Sequence, residues 1–213
     1  ATEHCGSLWN LWDATTGKIH PAWPPQVRPL AFTPDGRSVL LQQLGRERVQ
    51  RVDLQSDQFP DDDRAYHQTE VRALVALPGS NRLASGASDG VRVWDVEHGR
   101  VVRRFEEPAR ITALASSPDG RHLAAAGPDG VSLWNLDSGK TILTASEFSQ
   151  AKEVAFSPSG RELAACGDAG LALWETATGK QLHRFSIHHK GFAALAFSSD
   201  GKRLSAHSYD QTF

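Results

Sequence analysis

A short segment that ends in tryptophan followed by an acidic or amide residue recurs about every forty residues in this 213-residue chain. It reads LWD at 11–13, VWD at 93–95, LWN at 133–135 and LWE at 173–175, with a degraded RVD at 51–53. Its central residues are spaced 40, 42, 40 and 40 residues apart and are Trp12, Val52, Trp94, Trp134 and Trp174. Such a period constrains the fold strongly, because each repeat must be one supersecondary unit that stacks on its neighbours.

Two kinds of turn keep the same period. One recurs at intervals of 44, 40, 40 and 41 residues, at Pro34, Pro78, Pro118, Pro158 and Ser199. The other follows the tryptophan segment as DATTGK, DVEHGR, NLDSGK and ETATGK. Between the turns, short β-branched or alternating runs such as VRALVAL, RLASGAS, VRVWDV and VVRRF predict four strands per repeat, and no helical stripe appears. The chain is therefore predicted to be all-β, with the four-stranded antiparallel blades of a β-propeller.

The repeat boundaries predict a single propeller domain, 1–213, that covers about five blades. Four whole repeats span 14–54, 55–96, 97–136 and 137–176, with partial repeats at 1–13 and 177–213. We expect a piece cut from a longer chain, because the sequence contains no methionine even at position 1. The alternative is a closed five-bladed ring completed by SLWNLWD at 7–13. It is disfavoured because residues 1–7 align with 204–210, which would leave a spare half-strand.

The repeat resembles that of the tryptophan-aspartate (WD) repeat β-propeller family. The resemblance covers essentially the whole chain and is carried by ASSPDGRHLAAAGPDGVSLWNLDSGK and AFSPSGRELAACGDAGLALWETATGK. The repeat sequences are most similar to those of bacterial members of the family. Because members of the family usually have seven blades, the resemblance implies that these blades belong to a larger ring.

The resemblance also implies a structural tetrad of His, Ser or Thr, Asp and Trp in each well-formed blade. One blade has all four, as His67, Ser85, Asp89 and Trp94. Its hydrogen bonds, ending on the indole N–H, would satisfy polar groups that the blade buries.

The other blades keep only part of the tetrad. Glu107 and Glu147 stand at the histidine position and Ala125, Ala165 and Ala206 at the serine position, while Asp168 precedes its expected position by one residue. The tetrad residues that remain are Asp129, Trp134, Trp174, His188 and Asp210. We expect each missing buried hydrogen bond to weaken its blade by about 1 kcal/mol.

Composition excludes several classes of function. With 23 Lys and Arg against 25 Asp and Glu the net charge is -2, so no overall field would gather nucleic acid. No apolar run is long enough for membrane insertion and no signal peptide is recognised. A cytoplasmic location is expected. Cys5 and Cys166 form no disulfide framework or zinc motif, and are interpreted as small, partly buried side chains.

Candidate chemistry is sparse. His188 and His189 are adjacent on a predicted strand and would point to opposite faces, so that, even with His183 nearby, no metal site is predicted. PDDDR at 60–64 lacks the spacing of a calcium loop and is interpreted as a solvated acidic loop. No GxSxG turn or phosphate loop occurs. We expect no catalytic residues and no cofactor.

Surface loops are therefore the expected functional part. In the family, contacts on the top face come from the entry to the first strand of each blade and from the residue before the turn Asp. The corresponding residues are Gln26, Glu70, Arg110, Gln150 and Gly191, with Ser88, Pro128, Gly167 and Tyr209. Arg110 and Tyr209 are the preferred candidates, since Arg and Tyr most often anchor interfaces.

These features are compatible with three functions. The favoured one is a non-catalytic scaffold that binds a protein or peptide on its top face. The alternative is a sensory or targeting module of a larger bacterial signalling protein, such as a kinase, sigma-like factor or protease fusion. A small-ligand or enzymatic propeller is disfavoured, because the inner strand starts are read as mostly Ala, Val, Leu and Phe.

Overall fold

The computed structural model describes residues 27–32, 38–43, 48–53, 67, 69–97, 100–105, 110–185 and 191–208. The chain divides into two compact units, Ala1–Gln68 and Thr69–Phe213. In the first unit, β1 (Val27–Phe32), β2 (Ser38–Gln43) and β3 (Arg48–Asp53) form one antiparallel sheet in the order β1-β2-β3. Val39, on the central strand, is buried.

The second unit contains three complete four-stranded sheets and a fourth with two described strands. Blade A consists of β4 (Ala73–Leu77), β5 (Arg82–Ala87), β6 (Gly90–Asp95) and β7 (Arg100–Phe105). Blade B consists of β8 (Ala113–Ser116), β9 (His122–Gly127), β10 (Gly130–Asn135) and β11 (Thr141–Ala145). Blade C consists of β12 (Ala151–Phe156), β13 (Glu162–Gly167), β14 (Gly170–Glu175) and β15 (Gln181–Phe185), and blade D of β16 (Phe192–Phe197) and β17 (Leu204–Ser208).

Strand order within blades A to C follows the chain, and every pairing is antiparallel. The first strands of successive blades pack against one another, β4 on β8, β8 on β12 and β12 on β16. The described residues contain no helix. The predicted all-β fold of antiparallel four-stranded blades is therefore confirmed. That the blades belong to a larger ring stays a prediction, and the closed five-bladed ring stays its alternative.

Small side chains let the blades pack face to face. The second strands read LASGA, LAAAG and LAACG, and their residues are buried on both faces of the sheet. A continuous buried run of this kind is typical of a strand enclosed between two layers. One apolar cluster joins blades A and B around Phe105 and Trp134, and another joins blades B and C around Phe148 and Trp174. Blade stacking is thus the main hydrophobic contact in this unit.

Candidate functional site

One end of the blades, which we call the upper rim, combines two sets of loops. It consists of the residues entering each first strand and the two-residue turns between the second and third strands. Neighbouring blades meet here through main-chain hydrogen bonds: Ile111 N–H donates to Ala87 O at 3.3 Å, and Gln150 N–H donates to Pro128 O at 2.9 Å. The entry of one blade is therefore held on the turn of the blade before it.

The strand register fixes which residues occupy the turns of the rim. Ala87 pairs with Gly90, Gly127 with Gly130, and Gly167 with Gly170. The turns are therefore Ser88–Asp89, Pro128–Asp129 and Asp168–Ala169, each followed by a glycine with positive φ. Such a backbone conformation is accessible to glycine without the strain a Cβ would cause.

Gly167, one of the candidate rim contacts, is the last residue of β13 and does not lie in the turn itself. It is buried at the end of β13, and a Cβ built on it would lie 2.3 Å from Gln150 O. Asp168 takes the position that Ser88 and Pro128 occupy in the other blades, and it is exposed. The sequence shows Asp168 one residue early, but only the strand register assigns it to the first turn position.

The blade with the predicted complete tetrad buries a hydrogen bond on its tryptophan. The indole N–H of Trp94 donates to Ser85 Oγ at 2.7 Å, and both residues are buried. Asp89 accepts from the Arg92 guanidinium at 2.8 Å and from Thr69 Oγ1 at 3.4 Å. His67 belongs to the first unit and is itself buried, and its part in the tetrad stays a prediction.

Arg92 and Thr69 were missed by the sequence reasoning. Arg92 is the only charged residue among the described third-strand positions that are buried, and it forms an ion pair with Asp89. Thr69 Oγ1 also accepts the N–H of Ser88 at 2.9 Å, which ties the strand entry to the turn. The corresponding positions of Arg92 in blades B and C are Ser132 and Ala172, so the repeat gave no sign of a buried arginine.

Aromatic rings pack on the tryptophans of the two blades that lack the tetrad serine. Ala125 and Ala165 are buried at the serine position. Phe105 stacks on Trp134 with ring centroids 4.7 Å apart, and Phe148 meets Trp174 edge to face at 5.6 Å. Glu147, at the histidine position, is exposed, and Phe148 beside it is buried. These ring pairs stabilise the junctions by dispersion and quadrupole contacts where the polar network is missing.

The predicted rim candidates differ in their placement. Arg110, Glu70, Gln150 and Ser88 are exposed, Asp129 is exposed in its turn, and Gly191 is buried. Glu70 forms an ion pair with Arg72 at 3.0 Å, and Gln150 adopts a φ of 56°. Four candidates lie outside the described residues: Gln26, Tyr209, Asp210 and His188.

Arg110 is an exposed side chain on a fixed main chain. Its carbonyl lies so close to Gly127 that a Cβ there would be 2.6 Å from the oxygen, and the next residue donates to Ala87 O. Among the described residues no ion pair to its guanidinium is seen. Arg110 is therefore a positioned cation that points to solvent.

Polar residues lie at the starts of the inner strands, where mostly Ala, Val, Leu and Phe were expected from the sequence. Arg72 pairs with Glu70, the Lys152 ammonium pairs with the Asp168 carboxylate, and Glu153 Oε2 accepts Leu195 N–H at 2.9 Å. Each of these groups already has a partner within the chain. The inner strand starts thus form ion pairs and links between blades.

Other reactive side chains give no chemical site in the part of the chain described. No group of three or more His, Cys, Asp or Glu there could hold a metal ion, and His183 is exposed on β15. His189 and residues 60–64 lie outside that part, as does Cys5. Cys166 is fully rather than partly buried, and this burial raises the pKa of its thiol to about 11. Such a thiol is protonated at neutral pH and a poor nucleophile.

The described residues include no helix that could cross a membrane.

Comparison with protein families matches two stretches of the chain. Residues 99–135 and 179–213 match the WD40 family, described as WD domain, G-beta repeat. The first stretch runs from β7 through β10, which is the outer strand of one blade and three strands of the next. A comparison with curated proteins finds none that matches. The matched stretches are thus similar to WD repeats, and the first of them folds as antiparallel strands with Trp134 on the third strand of its blade.

Proposed function

We propose that this chain is a non-catalytic scaffold that binds a protein or peptide partner on the upper rim. WD40 repeats in general mediate protein–protein interaction, and WD40 propellers are in general non-catalytic. The family thus supports the class of function. The exposed residues of the upper rim support this surface as the place where a partner binds.

The observation that carries this proposal is the rigid presentation of exposed side chains. Ser88, Arg110 and Gln150 are exposed, yet the main chain around each is hydrogen-bonded to a neighbouring loop or blade. A loop that is ordered before binding loses little conformational entropy when a partner binds. Binding residues are commonly carried by loops on a rigid scaffold.

Arg110 and Tyr209 are the proposed anchors. Arg110 can form paired hydrogen bonds to a carboxylate or carbonyl group of a partner, because its guanidinium is planar and has five donors. Arginine and tyrosine are also enriched among the residues that dominate interface energies. The other proposed contacts are Glu70, Gln26, Gln150 and Ser88.

A pull-down with quantitative mass spectrometry tests this proposal. The bait is the 213-residue chain, compared with the double variant R110A/Y209A and with the control R161A. Arg161 is exposed in the turn between the first and second strands, at the opposite end of blade C. We expect specific partners of the wild-type chain to fall at least about tenfold with R110A/Y209A, which is 1.4 kcal/mol of binding free energy, and to persist with R161A.

Circular dichroism and thermal unfolding first establish that each variant is folded. Equal recovery of the same partners by a folded R110A/Y209A variant would sink the proposal for these two anchors. Loss with R161A but not with the double variant would move the binding surface to the opposite end of the blades.

A further inference from the structure

Several aspartates of the chain are followed directly by glycine, the sequence in which aspartate most readily cyclises to a succinimide. Glycine favours this reaction because, with no side chain, it leaves its amide nitrogen open to the carboxyl carbon of the aspartate. These aspartates are Asp35, Asp89, Asp119, Asp129 and Asp200. All but Asp35 belong to the described residues. The carboxyl group must turn toward the glycine nitrogen, so its contacts decide which step reacts.

Two of these carboxylates lie at the end of the blades opposite the upper rim and are held by hydrogen bonds. Asp119 Oδ1 accepts from Ser117 Oγ at 2.5 Å and from the main-chain N–H two residues later at 3.0 Å. Asp200 Oδ1 accepts from Ser198 Oγ at 2.6 Å and likewise from an N–H at 3.0 Å. In each turn the glycine N–H donates to the serine carbonyl oxygen at 2.9 Å. Both reacting groups are therefore engaged in other contacts.

The other two steps lie on the upper rim and form a matched pair. Asp89 and Asp129 are each the second residue of a two-residue turn, and these turns end at Gly90 and Gly130. Both glycines have positive φ, 100° and 124°. The main chain is thus of the same kind at both steps, but Asp129 is exposed and Asp89 only partly exposed. A difference in reactivity is therefore expected from the side chains around the two carboxylates.

Side chains hold the carboxylate of Asp89 in place but not that of Asp129. Asp89 accepts from the Arg92 guanidinium at 2.8 Å and from Thr69 Oγ1 at 3.4 Å. The next repeat lacks both donors, because it has Ser132 at the position of Arg92 and alanine at that of Thr69. Among the described residues no hydrogen bond or ion pair reaches the Asp129 carboxylate. It can therefore rotate about χ1 toward the glycine nitrogen, whereas Asp89 must first break contacts to a charged group.

We propose that Asp129 is a modification site at which the chain isomerises from aspartate to isoaspartate. The Gly130 amide nitrogen attacks Asp129 Cγ, and the new N–Cγ bond closes a succinimide. One carboxyl oxygen leaves as water with the amide proton and the carboxyl proton. Water then adds to the main-chain carbonyl carbon of Asp129 and breaks its bond to the Gly130 nitrogen, so that the chain continues through Cγ. Water is the only co-reactant, released in the first step and taken up in the second.

The product changes the upper rim at a defined place. Isoaspartate adds a methylene group to the main chain of the turn and presents the α-carboxylate in place of the side chain. The altered bond lies next to Pro128, whose carbonyl oxygen accepts the Gln150 N–H at 2.9 Å and so links blade B to the entry of blade C. The modification follows from the turn itself and does not depend on a partner bound at the rim.

Ageing of the purified chain in heavy-oxygen water tests this proposal. The folded 213-residue chain is kept at neutral pH and then digested in ordinary water. Each peptide is scored for oxygen incorporation and, by electron-transfer fragmentation, for isoaspartate. We expect isoaspartate to form at Asp129 at least about fivefold faster than at Asp89, Asp119 or Asp200, because the hydrogen bonds of those carboxylates must break first. In urea the four rates should agree within about twofold, because unfolding removes these contacts.

Variants separate the contacts of the carboxylate from other causes. R92M and T69A each remove a donor to Asp89 and should raise its rate at least about threefold, while the rate at Asp129 stays within about twofold of wild type. P128S gives both rim turns the sequence Ser-Asp-Gly and should leave Asp129 the fastest step. D129E should abolish the reaction there, since glutamate would have to close a less favourable six-membered ring. Circular dichroism establishes that each variant is folded, and T69A alone decides if R92M is not.

Three results would overturn the proposal. One is an equal rate at Asp89 and Asp129 in the folded chain, and another is a faster reaction at Asp119 or Asp200. The third is an unchanged rate at Asp89 in folded T69A, which would show that hydrogen bonds do not protect the carboxylate. If P128S instead slowed Asp129 to the rate of Asp89, the preceding proline would be the cause, and the argument from the unheld carboxylate would fail.

Discussion

At the scale of single residues, buried polar groups in blade A are held by specific partners. The Trp94 indole N–H donates to the Ser85 hydroxyl oxygen, and the Asp89 carboxylate forms an ion pair with Arg92 next to the rim. The net free energy of one such hydrogen bond is small. Removing the acceptor costs more, because the donor then stays buried without a hydrogen bond. Blades B and C have alanine at the serine position, so the buried tryptophans there have no serine hydroxyl as acceptor.

Replacing Ser85 by alanine should therefore destabilise the chain. We expect the free energy of unfolding to fall by about 1–3 kcal/mol, because the Trp94 N–H would stay buried without this acceptor. Urea unfolding followed by tryptophan fluorescence measures the change. S149A, at an exposed serine, is the control and should remain within about 0.5 kcal/mol of wild type. Equal stability of S85A and S149A would show that another acceptor replaces the hydroxyl.

The carboxyl group of Asp119 should titrate at an unusually low pH. The Ser117 hydroxyl donates to Asp119 Oδ1 at 2.5 Å, and this hydrogen bond, with that from the Arg121 N–H, lowers the pKa of Asp119 below its ordinary value despite some desolvation. Since the folded pKa is the lower one, the ionised carboxylate stabilises the fold above about pH 4 and loses this contribution as pH falls through the folded pKa.

Carbon-detected NMR of the Asp119 side chain tests this expectation. The midpoint should lie below that of a model aspartate and should rise in S117A, which removes the hydroxyl donor. A midpoint that is the same in S117A and wild-type chain would show that the Ser117 hydroxyl does not stabilise the carboxylate.

At the scale of strands and sheets, an aromatic side chain from one blade supports the tryptophan of the next. Phe105 does this from within β7, and Phe148 from the loop after β11. Ala145 occupies the strand position of Phe105 in blade B, so the ring there comes from a residue three positions later. Different sequences thus fill the same space between neighbouring sheets.

Truncating Phe148 should cost far more stability than truncating Phe185. F148A removes a fully buried ring from the junction of blades B and C and should lower the free energy of unfolding by about 3–5 kcal/mol. F185A removes a half-exposed ring and should cost less than about 1 kcal/mol. Thermal and urea unfolding of both variants provide the comparison. Similar losses for the two would contradict the burial difference between the junctions.

At the scale of the molecule, blade contacts link residues forty positions apart. Ser116 Oγ donates to Ala76 O, and Thr112 Oγ1 to Ala151 O, so side chains of one inner strand reach the main chain of the neighbouring one. Charges of both signs are interspersed, and the net charge of the chain is -2. Long-range electrostatic attraction of a polyanion is therefore weak.

Duplex DNA should not bind this chain appreciably. At about 0.15 M salt we expect no mobility shift of a 30-base-pair duplex with micromolar protein, because non-specific binding requires several cations that each contact a phosphate. A basic DNA-binding protein on the same gel is the positive control. A mobility shift that disappears at higher salt would contradict this expectation. It would reveal a basic surface and make nucleic acid a candidate partner.

The sequence by itself determined the all-β class, the antiparallel blades and the positions of the turns. These depend on local chemistry: alternation sets the strands, and proline, aspartate and glycine set the turns. It also identified Ser85 and Trp94, which the fold brings to 2.7 Å, and the exposed Arg110.

Only the tertiary structure decided which side chains meet between blades. The place of Asp168 in the turn, the pairing of Phe148 with Trp174 and the exposure of Phe185 all depend on strand register and on which sheet faces meet. A repeat pattern records what each blade shares with the others. Contacts between blades arise where the copies differ, and their energies depend on packing across residues distant in sequence.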